Sequence, residues 1–214
     1  MGFDPGQFAQ FRTMQREMPE DLWQPIWDTV NYPAGGAASL SFFTVPVGQA
    51  ATLLRFGATA GLAASASRSK TRLDTNLENA GVLPTKAFKL YGVSVNYVPL
   101  RVDGTNPTFA AIDKMTLALA GYLELRILDK PYLQIPTRAV PEASGLSYGP
   151  SATSIGAGVI GSGNPRDIFW LAVPLVFEPY QTFTMSITYD GSPAVNQGTD
   201  VCVILWGLQR RPSQ

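Results

Sequence analysis

The chain has 214 residues, with 16 Lys plus Arg against 16 Asp plus Glu and no histidine. Charged residues make up 15%, against roughly 25% in an ordinary soluble domain, while apolar residues reach 45%. That balance excludes a disordered chain and a strongly basic nucleic-acid binder, and a surface with no net charge favours association with neighbours. Without histidine there is no Ser-His-Asp or Cys-His catalysis, no His-ligated zinc and no ordinary pH switch. The single cysteine, Cys202, cannot form an intrachain disulfide. Residues 1–30 lack the basic and apolar regions of a signal peptide, and no apolar run approaches the ~18 residues of a membrane span.

Residues 1–36 read as an N-terminal arm. Phe8, Phe11, Met18 and Leu22 recur at helical spacing, with Arg12, Arg16 and Glu17 at polar positions. Pro19, Glu20 and Asp21 suit the start of a further helical turn. Trp23 and Trp27 follow within five residues, and Tyr32-Pro33-Ala34-Gly35-Gly36 breaks the chain. An arm with this much apolar area must be buried. Phe8, Phe11, Met18, Leu22, Trp23 and Trp27 are therefore the expected subunit-interface residues, seated on a neighbouring copy, with a lipid layer or the protein's own sheet face as the alternatives. The segment carries Arg12 and Arg16 against Asp4, Glu17, Glu20, Asp21 and Asp28, a net charge of −3.

The rest, residues 37–214, reads as one β domain. Leu40–Val47 is strand-rich, and 57–67 is small and featureless. Phe88–Val98 alternates, with Gly92 marking a bulge. Thr108–Ala120 predicts a helix, with Asn106 as cap and Pro107 at its first position. Tyr122–Leu128 alternates again, a turn at Asp129-Lys130-Pro131 follows, and Tyr132–Ile135 pairs back. Residues 136–166 are rich in Gly and Pro and read as a long loop. Ile168–Phe177, Thr182–Tyr189 and Val201–Leu208 are the last strands. Seven or eight strands without a βαβ rhythm predict an all-β, antiparallel two-sheet sandwich, whose eight-stranded form is the jelly roll.

No catalytic constellation emerges, so an enzyme, a cofactor and a metal are not expected. Gly156, Gly158 and Gly161 reproduce the spacing of a dinucleotide loop but outside a strand–helix context. Asp167, Asp190 and Asp200 sit at strand ends without the compact spacing of a calcium site. Cys202 lies in an apolar strand and reads as a buried hydrophobe. The basic cluster is Arg68, Lys70 and Arg72, flanked by Arg55, Lys86 and Lys89. Against Asp74 and Glu78 it gives 55–89 a net charge of +4. Phosphate or anionic lipid could meet it. Its preferred reading is a charge-complementary patch for the acidic arm, on the same or an adjacent subunit.

A longer pattern runs through the second half. Asn76-Leu77-Glu78, Ala80-Gly81 and Leu83-Pro84 precede Phe88, Leu90 and Gly92-Val93. Leu125, Ile127, Asp129-Lys130-Pro131-Tyr132-Leu133 and Ile135-Pro136 follow the helix. Leu171, Pro174-Leu175, Phe177 and Phe183 precede Gly207-Leu208 and Arg210-Arg211-Pro212. Over roughly 75–212 this resembles the jelly-roll capsid and virion structural proteins of tailless icosahedral bacteriophages. The resemblance implies a single jelly roll and a self-assembling shell subunit located in the virion. Its partners would be copies of itself and other virion proteins; a spike or vertex protein is also compatible. The alternative is a carbohydrate- or receptor-binding sandwich, for which the 136–166 loop supplies one aromatic, Tyr148.

Overall fold

Alternation of apolar and polar residues gives antiparallel strands along most of the chain. The computed structural model describes residues 20–54, 65–83, 87–99, 107–140, 146–147, 159–160, 168–196 and 198–211. In chain order the strands are β1 (Glu20–Trp23), β2 (Ile26–Tyr32), β3 (Ser39–Phe42), β4 (Ala50–Leu54), β5 (Ser65–Ser69) and β6 (Ala87–Pro99). Helix α1 (Pro107–Ala120) leads into β7 (Gly121–Ile127) and β8 (Lys130–Pro136), then a single 3-10 turn (Thr137–Ala139). The short pair β9 (Leu146–Ser147) and β10 (Val159–Ile160) precedes β11 (Phe169–Phe177), β12 (Phe183–Tyr189) and β13 (Thr199–Arg211).

Two antiparallel sheets carry the core. The five-stranded sheet runs β1-β13-β6-β11, with β2 also on β13; the four-stranded sheet runs β3-β12-β7-β8. Strand period places Phe88, Leu90, Val93, Val95 and Tyr97 of β6 on the inner face, with Val201, Val203 and Leu205 of β13 beside them. Leu123, Leu125, Ile127, Phe183, Met185 and Ile187 of the other sheet complete the same cluster. Phe177 and Phe183 meet edge-to-face at 5.4 Å, a geometry that adds to area burial.

The seam between β6 and β13 is made by two glycines. Gly92 sits opposite Trp206, and the register then shifts so that Gly207 sits opposite Leu90. A Cβ on Gly207 would meet the Lys89 carbonyl oxygen at 2.3 Å and the Phe88 ring at 2.5 Å. The strands therefore approach closer here than any side chain permits. The bulge expected at Gly92 is present.

Helix α1 forms as predicted and ends on Thr137. The Thr137 Oγ1 lies 2.9 Å from the Ala118 carbonyl and 2.8 Å from that of Gly121, so its one proton is shared between a carbonyl the last turn leaves over and the first carbonyl of β7. The cap expected at Asn106 lies outside the described residues. Between β7 and β8 the chain turns on Leu128 and Asp129, both with positive φ (48° and 63°), as a two-residue hairpin of this hand requires. The turn sits one residue earlier than its Asp129-Lys130-Pro131 motif suggests.

The helical reading of 19–23 is corrected: 20–23 is strand, and β2 continues it along β13. Ile26 and Tyr32 are fully buried in the core cluster. The part of the arm from residue 20 to residue 32 thus belongs to the main sheet and contributes to its core. Its strand character was masked by Asp28, a buried carboxylate at an inward position that breaks the apolar alternation. Residues 1–19, with Phe8, Phe11 and Met18, lie outside the described residues. The strand expected over Leu40–Val47 stops at Phe42, because Phe43 adopts a left-handed φ of 62° and leaves the ladder. Strands β4 and β5, rich in Ala and Ser, carry no period and were not expected.

Candidate interaction surface

The outer face of the five-stranded sheet gathers aromatic side chains from four strands, β1, β6, β11 and β13. Pairing places Trp23 beside Leu208, Leu208 beside Lys89, and Lys89 beside Val176, on one row across the sheet. A second row joins Trp206, Gly92 and Trp170. The Trp23 ring lies 6.3 Å from Tyr91 and 6.5 Å from Trp170, tilted by 40° and 37°. Trp23 is 51% exposed and Trp170 47%. Gly92 makes room for this packing: a Cβ there would meet Ile168 Cγ2 at 2.6 Å and Trp170 Cε3 at 3.2 Å. Lys89 Nζ stands 5.3 Å from the Tyr91 ring centroid, within cation–π range. The Trp206 indole N–H donates to Ser94 Oγ at 2.9 Å.

Strand β11 forms the edge of this face. Between Trp170 and Leu175 its register against β6 slips, so that the chain bulges over 171–174. Val173 in that bulge is 73% exposed and Val176 is 50% exposed. Pro174 carries no N–H, and bulges and prolines are devices that stop open-ended strand pairing. The surface is thus suited to contact through side chains.

Strand β4 packs against β2 and β13, and Leu53 is fully buried there, outside the central cluster.

The expected basic patch does not gather on the surface. Lys70 Nζ lies 2.6 Å from Asp28 Oδ1, with both side chains almost sealed from water. Asp28 Oδ2 accepts the Phe43 N–H at 2.6 Å, so one carboxylate holds both the lysine and the left-handed turn. Burial pushes the Asp28 carboxyl above its ordinary range, against the opposing pull of Lys70 and the Phe43 N–H. Arg68 grips Asp74 through two 2.6 Å bonds, and Thr71 donates to the same carboxylate from its N–H at 2.8 Å and its hydroxyl at 2.9 Å. Burial of Asp74 acts upward, but these donors outweigh it and hold the carboxyl below its usual value. Arg72 is exposed.

Of the expected interface residues, Trp23 is exposed, Leu22 is half-buried, and Trp27 is half-buried with its N–H donated to Asn76 Oδ1 at 3.0 Å. Asp200, a candidate turn acid, is buried and accepts the Asn31 amide at 2.8 Å. The Gly156–Gly161 loop lies largely outside the described residues. Among the described residues no three His, Cys, Asp or Glu side chains meet as a metal site, and no helix is long and apolar enough to cross a membrane. Tyr91, Trp170, Val173 and Val176 were missed as surface residues. The available signal was the unbroken apolar run Phe169–Phe177, which leaves no polar face for solvent. Comparison of the chain with protein-family models, curated proteins and solved structures returns no match.

Proposed function

We propose that the chain is a jelly-roll structural subunit that assembles with copies of itself into a viral shell. The observation that carries this reading is the pairing order of the strands in the two core sheets, β1 aside. In chain order these are β2, β3, β6, β7, β8, β11, β12 and β13. The first pairs with the last, the second with the seventh, the third with the sixth and the fourth with the fifth. Such a set is one long antiparallel strip folded on itself. Winding it brings β13 against β6 and β12 against β7, which yields two four-strand layers with β1 appended. Wound strips of this kind are the jelly rolls of capsids and of some lectins and cupins.

Self-association is supported by the zero net charge and the exposed aromatic face. Contact with genome or membrane through 55–89 is disfavoured, because Arg68 and Lys70 are already engaged within the chain. Negative-stain electron microscopy of the purified full chain tests the reading. Closed particles of uniform diameter are expected; a field of single subunits at high concentration would contradict it.

A further inference from the structure

We propose that the exposed face built from Trp23, Tyr91, Trp170, Val173 and Val176 is a two-fold contact, in which the β11 edge of one copy meets the same edge of another. This names the surface used by the self-assembly reading and rests on that reading.

Three features favour a second copy as the occupant. A two-fold contact brings a surface against itself, so a patch carrying one sign of charge meets the same sign. From Ile168 to Phe177 the chain has no charged residue, and Lys89, the cation on the row between Trp23 and Val176, is drawn over the Tyr91 ring. The face is therefore electrostatically self-compatible. Its size also fits. At the exposures above, Trp23, Trp170, Val173 and Val176 present about 400 Å² of apolar surface, in the range of functional patches. That is about half of the ~800 Å² per partner of a standard interface, matching an apolar core inside a polar rim. Finally, the bulge and Pro174 oppose endless edge-to-edge strand addition, so a contact here closes through side chains after two copies.

A sugar is a poorer occupant. The rings are tilted against one another, and the Trp206 N–H is already given to Ser94. A sugar stacks on flat, open ring faces, and rings tilted 37–40° against one another offer it no common platform.

The test compares the full-length chain with Val173→Asp and Trp170→Ala by sedimentation equilibrium, with circular dichroism as the check on folding. Leu73→Asp, at an exposed leucine on a distant turn, controls for loss of any surface hydrophobe. Both face variants are expected to weaken association at least tenfold, and the control not at all. Association unchanged in the folded variants overturns the two-fold contact and leaves self-assembly standing; a wild-type chain that stays monomeric overturns both. A second measurement does not depend on association constants. Val173→Cys in a Cys202→Ser background is expected to link two copies through a short bis-maleimide, and a folded variant that yields no linked dimer overturns the contact. Tryptophan quenching by an oligosaccharide panel in a chain of constant mass would overturn it in favour of a sugar site.

Discussion

Lys70 and Asp28, 42 residues apart in sequence, meet at 2.6 Å with their side chains 2% and 0% exposed. The pair fastens the end of the β4–β5 hairpin to β2, and its carboxylate also holds the Phe43 N–H. The charge separation between the acidic N-terminal stretch and the basic 55–89 stretch is thus resolved, at this pair, inside one subunit.

Removing one member of such a pair leaves a charge buried without its partner, which costs about 3–5 kcal/mol. Lys70→Met is expected to destabilise by that amount in urea at pH 7. The loss should shrink as the pH falls toward 5. Without the lysine, the raised Asp28 carboxyl rises further, and a carboxyl with a raised folded pKa favours folding at low pH and loses that contribution as pH rises through it. The double variant Asp28→Asn with Lys70→Met is expected to regain at least half of the loss. Equal losses at both pH values would show that Lys70 acts by packing alone.

Asp74 has the opposite sign. Its carboxyl is lowered, so its contribution is present above the unfolded value of about 3.9 and is lost as pH falls through the folded one. Arg68→Gln is expected to cost roughly 1–2 kcal/mol at pH 7, the scale of hydrogen bonds to a charged group. Wild type and variant should then converge at an acid pH where Asp74 is protonated in both the folded and unfolded states. Urea midpoints at the two pH values measure this, and a constant difference would exclude the Arg68–Asp74 linkage.

Burial pushes the Cys202 thiol up to about 11, with a side-chain hydrogen bond to Thr29 acting against it. At pH 8 the native thiolate fraction is then roughly a hundredfold below that of a free cysteine. Disulfide-exchange reagents are expected to label the native chain at least that much more slowly than the chain in urea. Equal rates would place the thiol in water.

Gly207→Ala should fail at the seam between β6 and β13. The new methyl would meet the Lys89 carbonyl and the Phe88 ring, and overpacking of this kind costs about 1–3 kcal/mol or more. A change at Gly35, where a Cβ meets nothing within 4 Å, is the matched control and should cost little. Thermal melts of the two variants separate the outcomes.

Much of the main fold was legible because one physical rule writes it. In β6, β7, β12 and β13 every second side chain enters the core, so the alternation of Phe88, Leu90, Val93 and Val95, or of Leu123, Leu125 and Ile127, is visible directly. Gly92 was readable as punctuation, whereas Gly207, inside the expected strand Val201–Leu208, gave no sign of the register shift beside Gly92. The first strands were illegible for a different reason. Inward positions of β2 include Asp28, a charge held by Lys70 and the Phe43 N–H from farther along the chain, and such a partnership leaves no local trace. The surface was missed because β11 is apolar on both faces. A continuous apolar run signals burial but not whether the chain itself or a neighbour supplies it.

The central claim is that this fold is a building block rather than a solitary domain. The most direct measurement is the mass of the full-length chain by light scattering at neutral pH, across about 1–100 μM, since assembly depends on subunit concentration. A mass that climbs with concentration to a large, discrete multiple of 23.1 kDa is the predicted result. A mass fixed at the single-subunit value throughout would contradict it.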